Sequence, residues 1–194
     1  VMILPQRNPL VTAKAVATLD RLSKGRMILG IGSGWLEEEF DALGVSFERR
    51  GDRTDEYLQA MRTAWSDERA SFHGDFINFS EVYSRPQPVD RHVPIIVGGH
   101  SKRAARRAGQ FGDGFFPGRG RPEELAELFD HARRSAEECG RDPASLEFTA
   151  GGPTTPEFVE QLAAIGVSRM IVPPMEPSRF AEFGDEVITE FSSF

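Results

Sequence analysis

Two glycine-rich stretches carry the residue types with which a protein grips a phosphate. One is Gly30-Ile31-Gly32-Ser33-Gly34, followed by Trp35; the other is Gly98-Gly99-His100-Ser101. Glycine lets the backbone approach a ligand closely and accepts positive φ. A helix N-terminus adds free N–H groups and partial positive charge. The second stretch combines both, because it closes the apolar run 93–97 and leads straight into a helix pattern. The N–H groups of Gly99 and His100, the Ser101 hydroxyl and the helix dipole are therefore expected to converge on one phosphate. Ser101 also suits a plain N-cap. In the first stretch Ser33 brings a hydrogen bond and no charge, and Gly32 and Gly34 serve either a ligand or a tight turn. That stretch is a poor dinucleotide fingerprint: G-x-G-x-x-G is not matched and no helix begins on cue. Trp35 is the aromatic candidate for the substrate side of a pocket, with core packing as its other reading.

The remaining chemistry-bearing residues carry less. His73, His92 and His131 read as loop or surface residues, and His100 sits by the phosphate rather than as a base. No histidine pair has metal-ligand spacing, so no metal site is expected. Lys102, Arg103, Arg106 and Arg107 form one basic cluster. It is either a solvated helix face or a lure for an anionic ligand. The buried side of that helix is marked by Ala104, Ala105 and Ala108, so Lys102 and Arg103 are the better ligand candidates. Glu39 with Arg50, and Glu56 nearby, are expected to form ion pairs that hold an insertion. Asp113, between Gly112 and Gly114, is expected to cap or brace a loop. The only cysteine, Cys139, cannot form an intramolecular disulfide and reads as a packed small residue.

The elements that must position these residues alternate. Asn8 and Pro9 start a helix that Gly25 ends. A strand follows over 26–30 and a helix over 52–65. Residues 71–88 break the rhythm with a hairpin, inside an insertion of about 66–92. Strands are then expected at 93–97, within 112–116, at 146–150 and at 168–172. Helices are expected at 101–111, 122–139, 156–165 and 177–194. With the apolar stub 1–5 there are about six strands, each followed by a helix, which means a parallel sheet with right-handed crossovers. An open doubly wound sheet and part of an eight-stranded barrel both remain. A closed barrel needs about 250 residues, and the chain has 194. The shortfall is about two βα units, and it falls where Val1 reads as the end of a strand. Met2 as a true start would instead make the protein naturally short.

Composition bounds the function. Acidic residues outnumber basic ones by 30 to 23, a formal charge of −7, which argues against nucleic-acid binding. No signal peptide and no membrane-length apolar stretch is seen, so a cytoplasmic location away from membranes is expected.

Taken in order, several runs resemble the bacterial luciferase-like monooxygenases, especially the branch that uses the deazaflavin coenzyme F420. They are Leu4 to Pro9, Ala17 to Arg26, Gly30 to Trp35, Glu39 to Gly44, Arg49 to Glu56, Pro94 to Gly99 and Gly112 to Phe115. The resemblance implies an α/β fold, a (β/α)8 barrel forming one domain over 1–194. The first two βα units would be absent and Val1 would lie near the end of the third strand. It places Gly32, Ser33, Gly34, Gly98, Gly99, His100 and Ser101 at the cofactor and Trp35 at the substrate. It implies hydride transfer between F420 and a small organic substrate. An FMN-dependent monooxygenase that activates O2 on reduced flavin supplied by a flavin reductase is the alternative, and a non-catalytic remnant a further one. A homo-oligomer is expected. In relatives the first two units carry the acidic or histidine residues near the reacting ring, so the catalytic residues stay unassigned.

Overall fold

A computed structural model describes residues 1–174 and 176–184. Six short parallel strands make the main sheet: β1 (Met2–Ile3), β2 (Leu29–Gly32), β5 (Ile95–Gly98), β6 (Gly114–Phe116), β7 (Glu147–Gly151) and β8 (Val167–Ile171). A separate antiparallel hairpin, β3 (Ala70–His73) and β4 (Asn78–Val82), sits inside the expected insertion. The helices are α1 (Pro9–Ser23), α2 (Glu37–Ala42), α3 (Arg50–Ser66), α4 (Lys102–Phe111), α5 (Pro122–Glu138), α6 (Pro156–Ala164) and α7 (Pro177–Phe183). The final helix was expected to run to residue 194; its stretch from 185 onward lies outside the described residues.

The sheet order is β1-β2-β5-β6-β7-β8, without a reversal. Right-handed crossovers that always step the same way put every helix on one face. That winding belongs to a barrel, since a doubly wound sheet reverses its order partway. Side chains alternate along each strand. Leu29, Ile31, Ile95, Val97, Phe115 and Phe148 point to the helices, where they bury against Leu58, Met61, Trp65, Ala105 and Phe129. The opposite, barrel-side face carries Gly30, Gly32, Ile96, Gly98 and Gly114. Glu147 and Arg169 form an ion pair between β7 and β8.

Local chemistry sets the boundaries. The Asn8 side chain accepts from Leu10 N–H and Val11 N–H, with Pro9 in the first turn, as a helix start requires. Lys24 takes the left-handed conformation at the other end, and Gly25 N–H donates to the Asp20 carbonyl at 2.9 Å. Three differences from the sequence reading have physical reasons. β2 runs from Leu29 to Gly32 rather than over 26–30, because the ladders to β1 and β5 carry on through Ile31 and Gly32. The stub gives only two strand residues before a 3₁₀ turn, Leu4–Gln6, since Pro5 has no N–H for a ladder. The acidic run after Trp35 is a short helix, with Glu37, Glu38 and Glu39 in its first turn where negative charge suits the dipole. Cys139 is an exposed helix C-cap rather than a packed residue. Among the described residues no helix is long and apolar enough to cross a membrane.

Candidate functional site

A cavity of about 530 Å³ opens where β2 and β5 end. In parallel barrels this C-terminal rim is where sites form, because the loops leaving the strands converge there. All eight residues singled out from the two glycine stretches line it: Gly32, Ser33, Gly34, Trp35, Gly98, Gly99, His100 and Ser101. The pairing of β2 with β5 brings together stretches more than sixty residues apart in sequence.

The glycines do different jobs. Gly32 and Gly98 present bare backbone on the barrel side. A Cβ on Gly32 would meet only Val1 at 3.5 Å, and one on Gly98 would meet Val1 at 3.0 Å and the Ile31 carbonyl at 3.2 Å. Gly34 has φ +77°, and a Cβ there would press on Phe40 at 2.7 Å and Ile3 at 2.9 Å, so the turn itself demands glycine. Gly99, at φ +136°, is the second forced position. Its N–H donates to the Phe116 carbonyl at 3.2 Å, and the sheet therefore takes a donor that the sequence suggested for a ligand. The first-turn N–H groups of α4 remain without intrahelical carbonyls. Ser101 caps that helix, its hydroxyl accepting from Ala104 N–H at 3.2 Å.

His100 is anchored. Its Nδ1 lies 3.0 Å from the Pro117 carbonyl, so Nδ1 carries the proton there. Ser33 and Thr54 hydroxyls are 3.1 Å apart, and the Thr54 hydroxyl also donates to the Arg50 carbonyl at 2.7 Å. Trp35 is 80% exposed at the cavity mouth, which rules out core packing. The buried tryptophan is Trp65, whose indole N–H donates to the Ala13 carbonyl at 2.9 Å.

Four arginines surround this backbone cradle: Arg49, Arg50, Arg103 and Arg107. Arg107 is buried and spent on Asp55 and the Gly51 carbonyl. Arg103 reaches Asp52 at 2.7 Å. Arg49 bridges Asp52 at 3.3 Å and Asp75 at 2.8 Å; hydrogen bonding to Asp75, then to Asp52, holds its guanidinium above the ordinary arginine range. Arg50 differs. Its Nε donates to the Gly34 carbonyl at 3.0 Å and its guanidinium lies 3.8 Å over the Phe47 ring. The expected Glu39–Arg50 pair does not form, because Arg50 turns to the cavity while Glu39 stays exposed on α2. Lys102 and Arg106 are exposed and do not line the cavity.

Glu56 and Asp113 both brace the fold as expected, but through partners the sequence did not name. Glu56 accepts from Asp75, Phe76 and Ile77 N–H groups at 2.7–2.8 Å, clamping the hairpin turn to α3. Nothing local to residues 75–77 named a carboxylate some twenty residues upstream as their acceptor. Asp113 braces the opposite end of the strands, accepting from Ile95 N–H at 2.8 Å and Arg62 at 2.9 Å. Among the described residues no group of three or more His, Cys, Asp or Glu is placed to hold a metal ion.

The family model for luciferase-like monooxygenases matches residues 1–177. An uncharacterised protein of Mycobacterium tuberculosis is 34% identical over 173 residues, covering 89% of this chain and 59% of that protein. An FMNH2-dependent dimethylsulfone monooxygenase of Pseudomonas putida is 34% identical over 133 residues, 66% of this chain and 37% of the enzyme. The chain thus spans well under two thirds of these relatives. Among solved structures, an F420-dependent secondary alcohol dehydrogenase in complex with an F420–acetone adduct superposes with TM-score 0.79 at 20% identity, over 98% of this chain and 76% of that one. The F420-dependent tetrahydromethanopterin reductase of Methanopyrus kandleri gives TM-score 0.79 at 16% identity, over 95% and 80%. These two likenesses establish the fold.

Proposed function

The chain belongs to the luciferase-like monooxygenase family, and from that membership we propose that it is a flavin-type oxidoreductase whose cavity holds coenzyme F420. One observation carries the reading. The β2 and β5 ends join bare glycine backbone, a capped helix N-terminus and an arginine-lined wall in one cavity. Its volume falls within the ordinary small-molecule range of about 300–1,000 Å³. The fit is chemical as well as steric. Flat backbone at Gly32 and Gly98 suits a planar ring that a Cβ would lift away. The N-terminus of α4 and the arginines suit an anion.

When bound, the cofactor supplies hydride transfer to or from a small organic substrate. The chain's own residues hold and orient it. His100 and Ser101 N–H groups, with the Ser101 hydroxyl, would hold the phosphate; Ser33 stands beside them, its hydroxyl 3.1 Å from that of Thr54. Trp35 at the mouth shields the substrate side from water. The exposed cations Lys102 and Arg103 at the start of α4 attract the anionic tail of F420.

A second reading has its own support. The Pseudomonas relative uses reduced FMN. An FMN enzyme of this kind would depend on a flavin reductase for its reduced cofactor. Titrating the protein with F420 and with FMN while following fluorescence quenching separates the two. Saturable quenching by F420 at micromolar concentration is expected; saturation by FMN alone would transfer the protein to the monooxygenase reading. Failure of both to saturate would overturn the flavin-type assignment.

A further inference from the structure

Of the four arginines on the cavity, three are already neutralised by Asp52, Asp55 and Asp75. Arg50 alone has no carboxylate partner among the described residues. We propose that Arg50 supplies the charge that holds the ligand's phosphate; this deepens the cofactor reading above and rests on it. The guanidinium is pre-set: Nε is fixed by the Gly34 carbonyl and the plane by the Phe47 ring. The backbone is fixed too, since the Arg50 carbonyl accepts from Thr54, whose hydroxyl lies beside Ser33. Arg50 is therefore tied at both ends to the turn that carries Ser33. Nε accounts for one of five guanidinium donors, which leaves the four on its two terminal nitrogens for a ligand.

Planar pairs of such donors match two phosphate oxygens at once. Engaging Arg50 breaks no existing ion pair, whereas drawing Arg103 or Arg107 to a ligand would strand Asp52 or Asp55. Arg50 is half-buried, so its charge is less screened than that of exposed Lys102 or Arg106. The ligand class is a molecule with a single phosphate group, as a monoester or a diester.

The test compares FMN with riboflavin, which differ only in that group; F420 against its deazaflavin core, which lacks the anionic tail as well as the phosphate, is a supporting pair. Inorganic phosphate serves as competitor. In the wild-type chain the phosphorylated form is expected to bind at least tenfold more tightly than its partner. Arg50→Gln should cut that preference at least tenfold and leave the phosphate-free form within twofold. Arg106→Gln should leave both unchanged. Equal weakening of both forms would assign Arg50 to holding the turn, and an unchanged preference would remove it from the site; either overturns the proposal. If no flavin-type ligand binds but phosphate is held by wild type and lost in Arg50→Gln, the cofactor reading falls and the Arg50 assignment stands. If wild type shows no phosphate-dependent binding with any probe, the assignment falls. Circular dichroism checks folding. Should Arg50→Gln unfold, Arg50→Lys decides: a preference reduced threefold or more supports the fork, and an unreduced one overturns it.

Discussion

Glu56 shows how much of this site depends on single side chains acting at a distance. Its carboxylate accepts three consecutive N–H groups of the hairpin turn, and Arg49 adds an ion pair to Asp75 on the same turn. Glu56→Ala is expected to cost about 1–3 kcal/mol, the range for groups left unsatisfied or returned to water. Denaturant melts would measure this, and limited proteolysis should open the chain near residues 74–77. A second residue-scale prediction concerns Arg107, which is buried while its partner Asp55 is 24% exposed at the side chain. Arg107→Met should destabilise by the lower end of about 3–5 kcal/mol, because the orphaned carboxylate keeps some access to water. A denaturation midpoint near wild type would contradict it. At Gly99 the φ of +136° and the Ala104 Cβ at 3.0 Å make even alanine strained. Gly99→Ala should cost about 1–3 kcal/mol of folding stability, read from a thermal melt, so it is a poor probe of ligand contact; Ser33→Ala is the cleaner one. The glycine stretches were legible in sequence because each holds a position, Gly34 or Gly99, whose positive φ demands glycine. Arg50 was misassigned to Glu39, and Glu56 holds the insertion through backbone N–H groups rather than an ion pair, because their partners, Gly34 and the 75–77 turn, are local only after folding.

At the scale of elements, α4 divides its basic residues by face. Ala104, Ala105 and Ala108 are buried as the spacing predicts, Arg107 is buried with them, and Lys102, Arg103 and Arg106 are exposed. Of the three exposed ones only Arg103 lines the cavity, and Asp52 holds it at 2.7 Å. Paired Lys102→Ala and Arg103→Ala changes are therefore expected to weaken F420 several-fold more than FMN, since only F420 has an anionic tail beyond its phosphate. The difference should shrink between low and high salt, because exposed charges are screened over about 8–10 Å. Arg106→Ala should change nothing, and equal losses in all variants would return the cluster to a solvated helix face. Element order was readable from the alternating pattern, and helix starts at Asn8 and Ser101 from their capping chemistry. Register was harder. Gly32 read as a ligand or turn residue although it pairs with Ile3 of β1, because ladder hydrogen bonds come from the neighbouring strand rather than from local propensity. The α2 helix escaped notice because six residues, mostly charged, leave no apolar periodicity to see.

Among the described residues the sheet runs from β1 to β8 without those edges pairing, so two strand edges are open. The β1 edge adjoins a groove against α1 lined by exposed Val1, Val11, Leu19 and Ile28. A strand edge beside contiguous apolar surface favours association. The 194-residue chain is therefore expected to self-associate, visible as a weight-average mass rising with concentration in sedimentation; a monomer with a sharp unfolding transition at all concentrations would contradict that. The barrel-type winding explains why the cavity exists at all: one-directional crossovers bring the ends of β2 and β5 side by side, with their loops on one rim. That placement is the central claim, and backbone amide shifts recorded during titration with F420 or FMN test it most directly. Saturating changes should cluster at Gly32, Ser33, Trp35, His100 and Ser101 and extend to Arg50. Saturable binding that leaves those amides unmoved and perturbs the groove between α1 and β1 instead would contradict it.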